Sequence, residues 1–183
     1  MVRTFDLDAQ RLSRVRVRML FDASPWGAGG VLLVKDEIVA WFATQFGEQD
    51  AVATGVQFGG SESQQVAEAL SILLGMRAWA NSWLGDSPRL EVRSDRVTAL
   101  YMLARMQTHS PHVAVIAREL ALTLSDACVR PDVVAHIPGV ANGLADRLSR
   151  RFQPGVRFSL PHALVCVPET IIPPRTPAYY RTV

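Results

Sequence analysis

The sequence has few cysteines and no long apolar run. Cys128 and Cys166 are its only two cysteines, and their spacing matches no metal-ligand pattern, which argues against a disulfide scaffold or a cysteine-ligated zinc site. No apolar stretch is long enough to span a membrane. The first residues, Met-Val-Arg-Thr-Phe-Asp, lack the apolar segment of a secretory signal. We therefore expect an intracellular protein, in the cytoplasm or nucleus, with reduced thiols and no membrane partner.

The chain also lacks a strong charge of either sign. Its formal net charge is +2, which is small for a protein that binds a polyanion, so its basic residues would have to act locally. Apolar content is high, because 49% of the 183 residues are hydrophobic. That content excludes a disordered arm and fits one globular domain with a sizeable core, plus tails.

Hydrophobic periodicity predicts an α/β domain built on a mixed five-stranded sheet. Three strands with short links form an antiparallel meander, with the glycines at 27, 29 and 30 in its first turn. Two later strands follow helices and therefore run parallel to the first strand. The predicted strands cover residues 15–22, 31–35, 38–44, 90–94 and 132–137. The predicted helices cover residues 64 to about 84, 97–106, 111 to about 127, and a last stretch that ends at 150.

Local signals predict where the helices begin. The stretch Ser61-Glu-Ser-Gln64 is typical of a capping box for the long helix, and the residues before it, 46–60, are expected to form a loop. Ser110-Pro111 supplies an N-cap followed by a proline at the first helical position. Asn142 is expected to cap the last helix, whose first turn contains Asp146.

Composition divides the chain into three parts. Residues 1–14 are expected to be a connection from an upstream domain, and residues 15–151 form the predicted domain. Residues 152–183 contain six prolines and little periodicity, which predicts an extended tail or an interdomain linker. The apolar stretch at 163–167 is the part of this tail that could pack on the domain.

Four acidic residues occupy positions where they could meet. Asp22 and Asp95 each end a predicted strand, Glu68 lies in a largely apolar helix, and Asp146 lies near the start of the last helix. Each has an ordinary structural explanation, as a turn residue, an N-cap, a helix-surface acid and an acid favoured by the helix dipole. A pocket shared by all four would need cations, and hard oxygen ligands select Mg²⁺ or Mn²⁺. Glu62 is a rival of Glu68, but it sits at the helix entrance.

The segment from His136 to Arg150 carries the most specific motif. It reads His-Ile-Pro-Gly-Val-Ala-Asn-Gly-Leu-Ala-Asp-Arg-Leu-Ser-Arg. The succession Asp22-Ala-Ser, Glu68, Ser94-Asp95 and then this segment resembles the ribonuclease H fold. More narrowly, it is similar to the RNase H domain of retrotransposon-type reverse transcriptases. The resemblance covers residues 16–150, with its motifs in the family's order.

The resemblance implies a metal-dependent endonuclease that hydrolyses the RNA strand of RNA–DNA hybrids. It implies two Mg²⁺ ions, with Mn²⁺ as a substitute. The implied catalytic and metal-binding residues are Asp22, Glu68, Asp95 and Asp146. The implied partners are an RNA–DNA hybrid and the polymerase domain of a reverse transcriptase in the same polyprotein.

Further residues take their expected roles from the same resemblance. His136 is expected to help proton transfer or product release, although a lone histidine more often has a structural role. The expected substrate contacts are Ala23, Ser24, Gly27 and Asn142. Arg96 departs from the small polar residue that the family usually has after its aspartate, which puts local substrate contacts in question.

Two alternatives remain open from the sequence. One is a transposase- or resolvase-type nuclease with the same fold. The motif that starts at His136 argues against it. The other is an inactive scaffold or retroelement relic. The presence of all four carboxylates argues against it. Cleavage of an RNA–DNA hybrid, compared with duplex DNA, separates these possibilities.

Overall fold

The computed structural model describes residues 15–80 and 88–181, and these form a five-stranded sheet. The order across the sheet is β3-β2-β1-β4-β5, with β1 paired antiparallel to β2, β2 antiparallel to β3, and β1–β4 and β4–β5 parallel. The predicted fold class is therefore confirmed. The strands are β1 (Arg16–Ser24), β2 (Gly27–Val34), β3 (Glu37–Thr44), β4 (Arg89–Ser94) and β5 (Val133–His136).

Five α-helices accompany the sheet within the described residues. They are α1 (Glu48–Thr54), α2 (Gln64–Trp79), α3 (Val97–Arg105), α4 (Pro111–Asp126) and α5 (Gly143–Ser149). None of the helices in residues 15–80 and 88–181 is long and apolar enough to cross a lipid bilayer.

Helix α1 lies where the sequence predicts only a loop, and that prediction is wrong. The helix has seven residues and too few apolar positions to show a period. Its ends are nevertheless well defined: the Asp50 carboxylate accepts a hydrogen bond from the Gly47 N–H at 2.8 Å, and Gly55 ends the helix with φ of 69°. Glycine adopts that left-handed conformation without the penalty that a Cβ atom imposes.

The start of α2 also differs from the prediction. Ser61–Ser63 form a 3₁₀ turn instead of a capping box, and the Ser63 hydroxyl donates to the Gly60 carbonyl instead of capping α2. The α-helix ends at Trp79, and the predicted extension to about residue 84 runs into residues 81–87, which lie outside the described part. The predicted start of α4 is confirmed, because the Ser110 hydroxyl accepts from the Val113 N–H and proline follows it.

The glycines predicted as a turn lie inside β2, where they allow helix and sheet to approach closely. A Cβ atom on Gly29 would lie 2.6 Å from Leu148 Cβ in α5. On the opposite side of the sheet, a Cβ atom on Gly75 of α2 would lie 2.1 Å from the Phe21 ring. Both helices therefore sit against the central strands at a distance that only glycine permits.

The two faces of the sheet have separate cores. The larger core lies under α2 and α4, with the Phe21 ring stacked on Trp79 at a centroid distance of 6.0 Å. The smaller core lies on the opposite face and consists of Val31, Trp41, Leu148 and Leu164. Strands β1 and β2 therefore contribute side chains to both cores, and this packing on two faces holds β1 rigidly in place.

Residues 152–181, here called the C-terminal strap, are irregular as their prolines require, but they pack on the domain. The Trp41 indole N–H donates to the Val167 carbonyl at 2.9 Å, and the Thr170 N–H donates to the Trp41 carbonyl at 2.7 Å. Leu164 and Tyr180 are buried at 0% and 3% exposure. The domain limits at 15 and 151 stay a prediction, but the strap is not a detached linker.

A buried ion pair fastens the far end of the strap to α1. Asp50 is fully buried, and both of its carboxylate oxygens accept from the Arg175 Nε at 2.7 and 2.8 Å. The Tyr180 hydroxyl also donates to the Asp50 carboxylate. Removing one member of such a pair leaves an uncompensated charge in the interior, which costs more than the pair itself contributes.

We expect Arg175→Met to lower the free energy of unfolding by about 3 kcal/mol, because Asp50 then stays buried without a cation. Urea denaturation at neutral pH measures the change. The matched control is Arg157→Met, which changes an exposed arginine of the same strap and should alter stability by no more than about 0.5 kcal/mol. Equal effects of the two substitutions would show that the Asp50 pair does not fasten the strap.

Candidate active site

Parallel pairing of β1 and β4 brings two aspartates together. Phe21 of β1 is in register with Ser94 of β4, so Asp22 and Asp95, the next residues of the two strands, emerge at the same edge of the sheet. Asp22 does not terminate its strand as predicted, because β1 continues to Ser24 and pairs with β2. The Asp22 carboxylate is nevertheless held by a central strand, which fixes it more firmly than a loop would.

Helix α2 delivers Glu68 to this edge from the buried side. The residue is only 1% exposed, so it is not a helix-surface acid, whereas Glu62 is exposed. One turn earlier, the Gln64 side-chain amide donates to Glu68 Oε1 and to the Ala23 carbonyl, both at 2.8 Å. Gln64 therefore ties the Glu68 side chain to β1.

The three carboxylates form a compact cluster. One oxygen atom from each of Asp22, Glu68 and Asp95 lies within 4.8 Å of the others. Glu68 Oε2 and Asp95 Oδ1 are shielded from solvent and have no hydrogen-bond partner. Buried carboxylate oxygens without donors are costly unless a cation compensates them. An all-oxygen, acidic set of this kind fits a hard divalent cation such as Mg²⁺ or Mn²⁺.

Asp146 lies at the rim of the same cleft. It sits in the first turn of α5, as predicted, and lines the cleft together with Asp22 and Asp95. It is not a member of the compact cluster, since its Oδ1 accepts from the Arg150 Nε at 2.7 Å and its side chain is 41% exposed. The structure thus brings three of the four predicted carboxylates together and places the fourth beside them.

Burial and mutual repulsion raise the proton affinity of the cluster. Burial raises the pKa of Glu68 to about 8, and the nearby Asp22 charge adds to the rise. Burial likewise raises the pKa of Asp22 to about 6, against the hydrogen bond that the Ser149 hydroxyl donates to Asp22 Oδ2 at 2.7 Å. Without a cation, this site therefore tends to hold protons, as expected for crowded like charges.

Two arginines line the cleft beside the acidic residues. The Arg96 Nε atom lies 3.4 Å from Glu68 Oε1 and 4.0 Å from Asp95 Oδ1. Arg150 pairs with Asp146 one helical turn away. Both guanidinium groups line the cleft beside the carboxylates that a cation would contact.

The four predicted substrate contacts have different surroundings. Ala23 and Ser24 line the cleft, although the Ser24 hydroxyl is buried and donates to the Ser149 carbonyl at 2.7 Å. Gly27 is buried and faces the Thr44 carbonyl of β3. Asn142 is 1% exposed, and its side-chain amide donates to the Phe21 carbonyl at 2.9 Å. Asn142 therefore orients β1 next to Asp22. It stands at the N-cap position of α5 as predicted, but its side chain makes no capping hydrogen bond.

His136 is exposed at the end of β5, where it pairs in register with Ser94. This position puts it at the same edge of the sheet as the cluster, but it does not line the cleft. Its part in proton transfer or product release stays a prediction.

Four residues contact the acidic side chains in a way that the sequence analysis does not predict. Ser149, Gln64, Arg96 and Arg150 contact the carboxylates through hydrogen bonds or ion pairs. The spacing of four residues between Gln64 and Glu68, and between Asp146 and Arg150, is a helical contact spacing and could have revealed those two pairs. The Ser149 contact joins α5 to β1 and has no local sequence signal.

Comparison with known proteins identifies the fold. No protein-family model and no curated protein sequence matches the chain. Solved structures do match, among them RNase H1 from the halophilic archaeon Halobacterium salinarum, with a TM-score of 0.53 and 20% identity over 74% of this chain and 94% of that chain. The N-terminal RNase H domain of a Mycobacterium tuberculosis protein matches with a TM-score of 0.55 and 19% identity, over 73% and 90% of the two chains.

A third match is LC11-RNase H1 from compost, with a TM-score of 0.51 and 19% identity over 73% of this chain and 91% of that chain. Together with the strand order, these similarities show that the chain has an RNase H-like fold. At such low identity the similarity establishes the fold and leaves the activity to the residues of the site.

We expect Glu68→Gln to stabilise the metal-free protein at pH 8. The Glu68 carboxyl loses its proton near its ordinary value of 4.5 in the unfolded chain but only at about 8 in the folded one. The folded state therefore binds more protons between these pH values, and stability falls as pH rises through this window. The substitution removes the ionisable group and should gain roughly 2 to 4 kcal/mol at pH 8, but little near pH 4.5.

Urea denaturation in the presence of a chelator, from pH 4.5 to 8.5, measures this difference. Glu62→Gln is the matched control, since it removes an exposed glutamate at the entrance of the same helix and should leave the pH dependence unchanged. A wild-type stability that does not fall across the window would contradict the electrostatic description of the cluster.

Proposed function

We propose that this chain is a divalent-metal-dependent endonuclease that hydrolyses the RNA strand of RNA–DNA hybrids. The observation that carries the proposal is the cluster of Asp22, Glu68 and Asp95, with its shielded and unpartnered oxygens, at the carboxyl ends of two parallel strands of an RNase H-like fold. The open cleft beside it gives a phosphodiester access to the carboxylates.

The carboxylates divide into two sets that could each hold a metal ion. Asp22, Glu68 and Asp95 would hold one ion, and Asp22 with Asp146 would hold a second. Bound Mg²⁺ in such a pair lowers the pKa of an attacking water and neutralises the charge on the leaving oxygen. Asp146 pairs with Arg150 through Oδ1, and both side chains are exposed enough to separate when a metal ion binds.

The remaining contacts hold the ligands in position. The Ser149 hydroxyl fixes one Asp22 oxygen, the Gln64 amide fixes one Glu68 oxygen, and Asn142 fixes the Phe21 carbonyl next to Asp22. Asp22 and Glu68 each keep a second carboxylate oxygen that is available to bind a metal ion. Orientation by neighbouring hydrogen bonds is what metal-binding carboxylates require.

The proposed preference for RNA rests on the backbone groups that line the cleft beside Asp22. Ala23 and Ser24 lie beside Asp22, where their backbone groups could contact a 2′-hydroxyl of the cleaved strand. Since only RNA carries that hydroxyl and displays it in a wide minor groove, we propose RNA as the cleaved strand. Phosphate and sugar contacts position a nucleic acid without reading its sequence, so cleavage should not depend on sequence.

We further propose that the chain acts as the RNase H domain of a retroelement reverse transcriptase. The support is the motif from His136 to Asp146 and the short connection between α3 and α4, which spans only residues 106–110. Cellular enzymes of the resembled family often carry an extra basic helix at this place. Without this basic helix the chain should bind an RNA–DNA hybrid weakly, and a linked polymerase domain could supply the missing contacts.

We expect Mg²⁺-dependent cleavage of labelled RNA in an RNA–DNA hybrid, and no cleavage of duplex DNA of the same sequence. Asp95→Asn should lower the rate by at least about a hundredfold, because it removes a charged ligand from the metal site. Its thermal stability should equal or exceed that of the wild type, since one of three mutually repelling charges is removed.

The comparison of substrates also tests the alternatives. Equal cleavage of duplex DNA would indicate a transposase- or resolvase-type nuclease. No cleavage of any substrate with Mg²⁺ or Mn²⁺, even after fusion to a nucleic-acid-binding module, would indicate an inactive scaffold. Helix α3 has Arg96 at its N-cap position and no side-chain cap, so Asp95 does not act as the N-cap that its structural explanation required. A marked loss of stability in Asp95→Asn would contradict the repulsion within the cluster and assign the Asp95 charge a stabilising role.

A further inference from the structure

Arg96 occupies an unusual position for a cation, directly beside the carboxylate cluster. It follows Asp95 immediately and precedes α3, and its backbone N–H donates to the Ser94 hydroxyl at 3.2 Å. From this turn its guanidinium reaches Glu68 Oε1 at 3.4 Å and approaches Asp95 Oδ1 at 4.0 Å. The side chain is 53% exposed, whereas the Glu68 side chain is 1% exposed. One partner is therefore fixed in the interior, and the other can move into solvent.

The charges at the cluster are poorly balanced by this contact. The Arg96 guanidinium contacts Glu68 and Asp95 but forms no ion pair with Asp22 in the described part of the chain, and two shielded oxygens of the cluster keep no hydrogen-bond partner. A divalent cation would bring twice the charge and could contact an oxygen of each residue. Arg96 and the metal would thus compete for the negative charge of the same two residues, Glu68 and Asp95, because a cation bound between these carboxylates would repel the guanidinium beside them.

Arg150 differs from Arg96 in what it contacts. Its partner Asp146 is four residues earlier on the same helix, and both side chains are about half exposed. Such surface pairs on one helix contribute little energy and exchange readily with water. Arg96 contacts the deeply buried member of the cluster, so its removal should change the electrostatic environment of the metal site more strongly.

We propose that Arg96 is a displaceable internal counter-ion that competes with the divalent metal for Glu68 and Asp95. In the metal-free protein it lowers the repulsion within the cluster. On metal binding its exposed side chain swings out of the cleft. Arg96 therefore weakens metal binding and sets the metal concentration at which the site fills. This inference rests on the proposed metal-dependent function.

The test is isothermal titration calorimetry of the full chain with Mg²⁺ alone, in the absence of nucleic acid. Arg96→Gln should bind Mg²⁺ about three- to tenfold more tightly than the wild type, in keeping with the strength of a partly exposed ion pair. Arg96→Lys keeps the charge and should bind with an affinity between the two. The matched control is Arg105→Gln, which changes an exposed arginine in the last turn of α3 and should bind as the wild type does.

Thermal unfolding supplies a second readout that a purely structural role would not produce. In a chelator, Arg96→Gln should unfold at a lower temperature than the wild type, because the cluster loses its counter-ion. In excess Mg²⁺ the difference should vanish or change sign, since the metal then replaces the arginine.

The outcomes separate this inference from the proposed function. Wild-type protein that binds Mg²⁺, with equal or weaker binding by Arg96→Gln, would overturn the role of Arg96 and leave the metal site in place. An absence of Mg²⁺ binding in the wild type and in every variant would overturn both the counter-ion role and the metal-dependent function.

Discussion

Repulsion among three closely spaced carboxylates, two of them buried, is the constraint on which the site depends. Asp22, Glu68 and Asp95 are held by a central strand, a buried helix and a strand end, so they cannot relax away from one another. The protein offsets this cost only in part, through single hydrogen bonds from Ser149 and Gln64 and through the half-exposed Arg96 beside Glu68. Such an arrangement is unfavourable for an isolated domain and becomes favourable when a cation binds, which is why it indicates function and not stability.

The rest of the fold keeps that unfavourable cluster in place. Strands β1 and β2 contribute to both cores, β4 packs under the larger one, and α2 and α5 approach the sheet at glycines that leave no room for a side chain. The C-terminal strap adds to this rigidity, because it is hydrogen-bonded to the outer strand β3 at Trp41 and forms an ion pair with Asp50 of α1. The strap also contacts α2 directly, since Arg77 donates to the Tyr179 carbonyl at 2.6 Å and the Trp79 indole N–H donates to the Thr170 hydroxyl at 2.9 Å, so the strap supports the helix that carries Glu68. Distant packing thus contributes to the geometry of the cleft.

The sequence predicts the sheet and the acidic cluster better than it predicts the residues and segments that hold them in place. Alternating apolar residues and the strand–helix–strand order determine the topology, and acids at strand ends of parallel neighbours must meet at one edge. Helix α1 and the packed strap were missed because they depend on contacts far apart in the chain, such as Asp50 with Arg175. The side chain of Asn142 was misjudged for the same reason, since its partner is the distant Phe21 carbonyl. In the sequence, Arg96 is recognisable only as a departure from the family pattern. Its contact with Glu68 is visible only in the three-dimensional structure.

The central claim is that Asp22, Glu68 and Asp95 together bind a divalent cation, and anomalous diffraction from crystals soaked in Mn²⁺ tests it most directly. The account predicts an anomalous peak between these three carboxylates, with Arg96 turned away from Glu68, and a weaker peak beside Asp146 at higher Mn²⁺ concentration. The same soak of Asp95→Asn crystals should show a reduced first peak. Crystals that diffract well but show no Mn²⁺ at the cluster, or Mn²⁺ bound only elsewhere on the surface, would contradict the account.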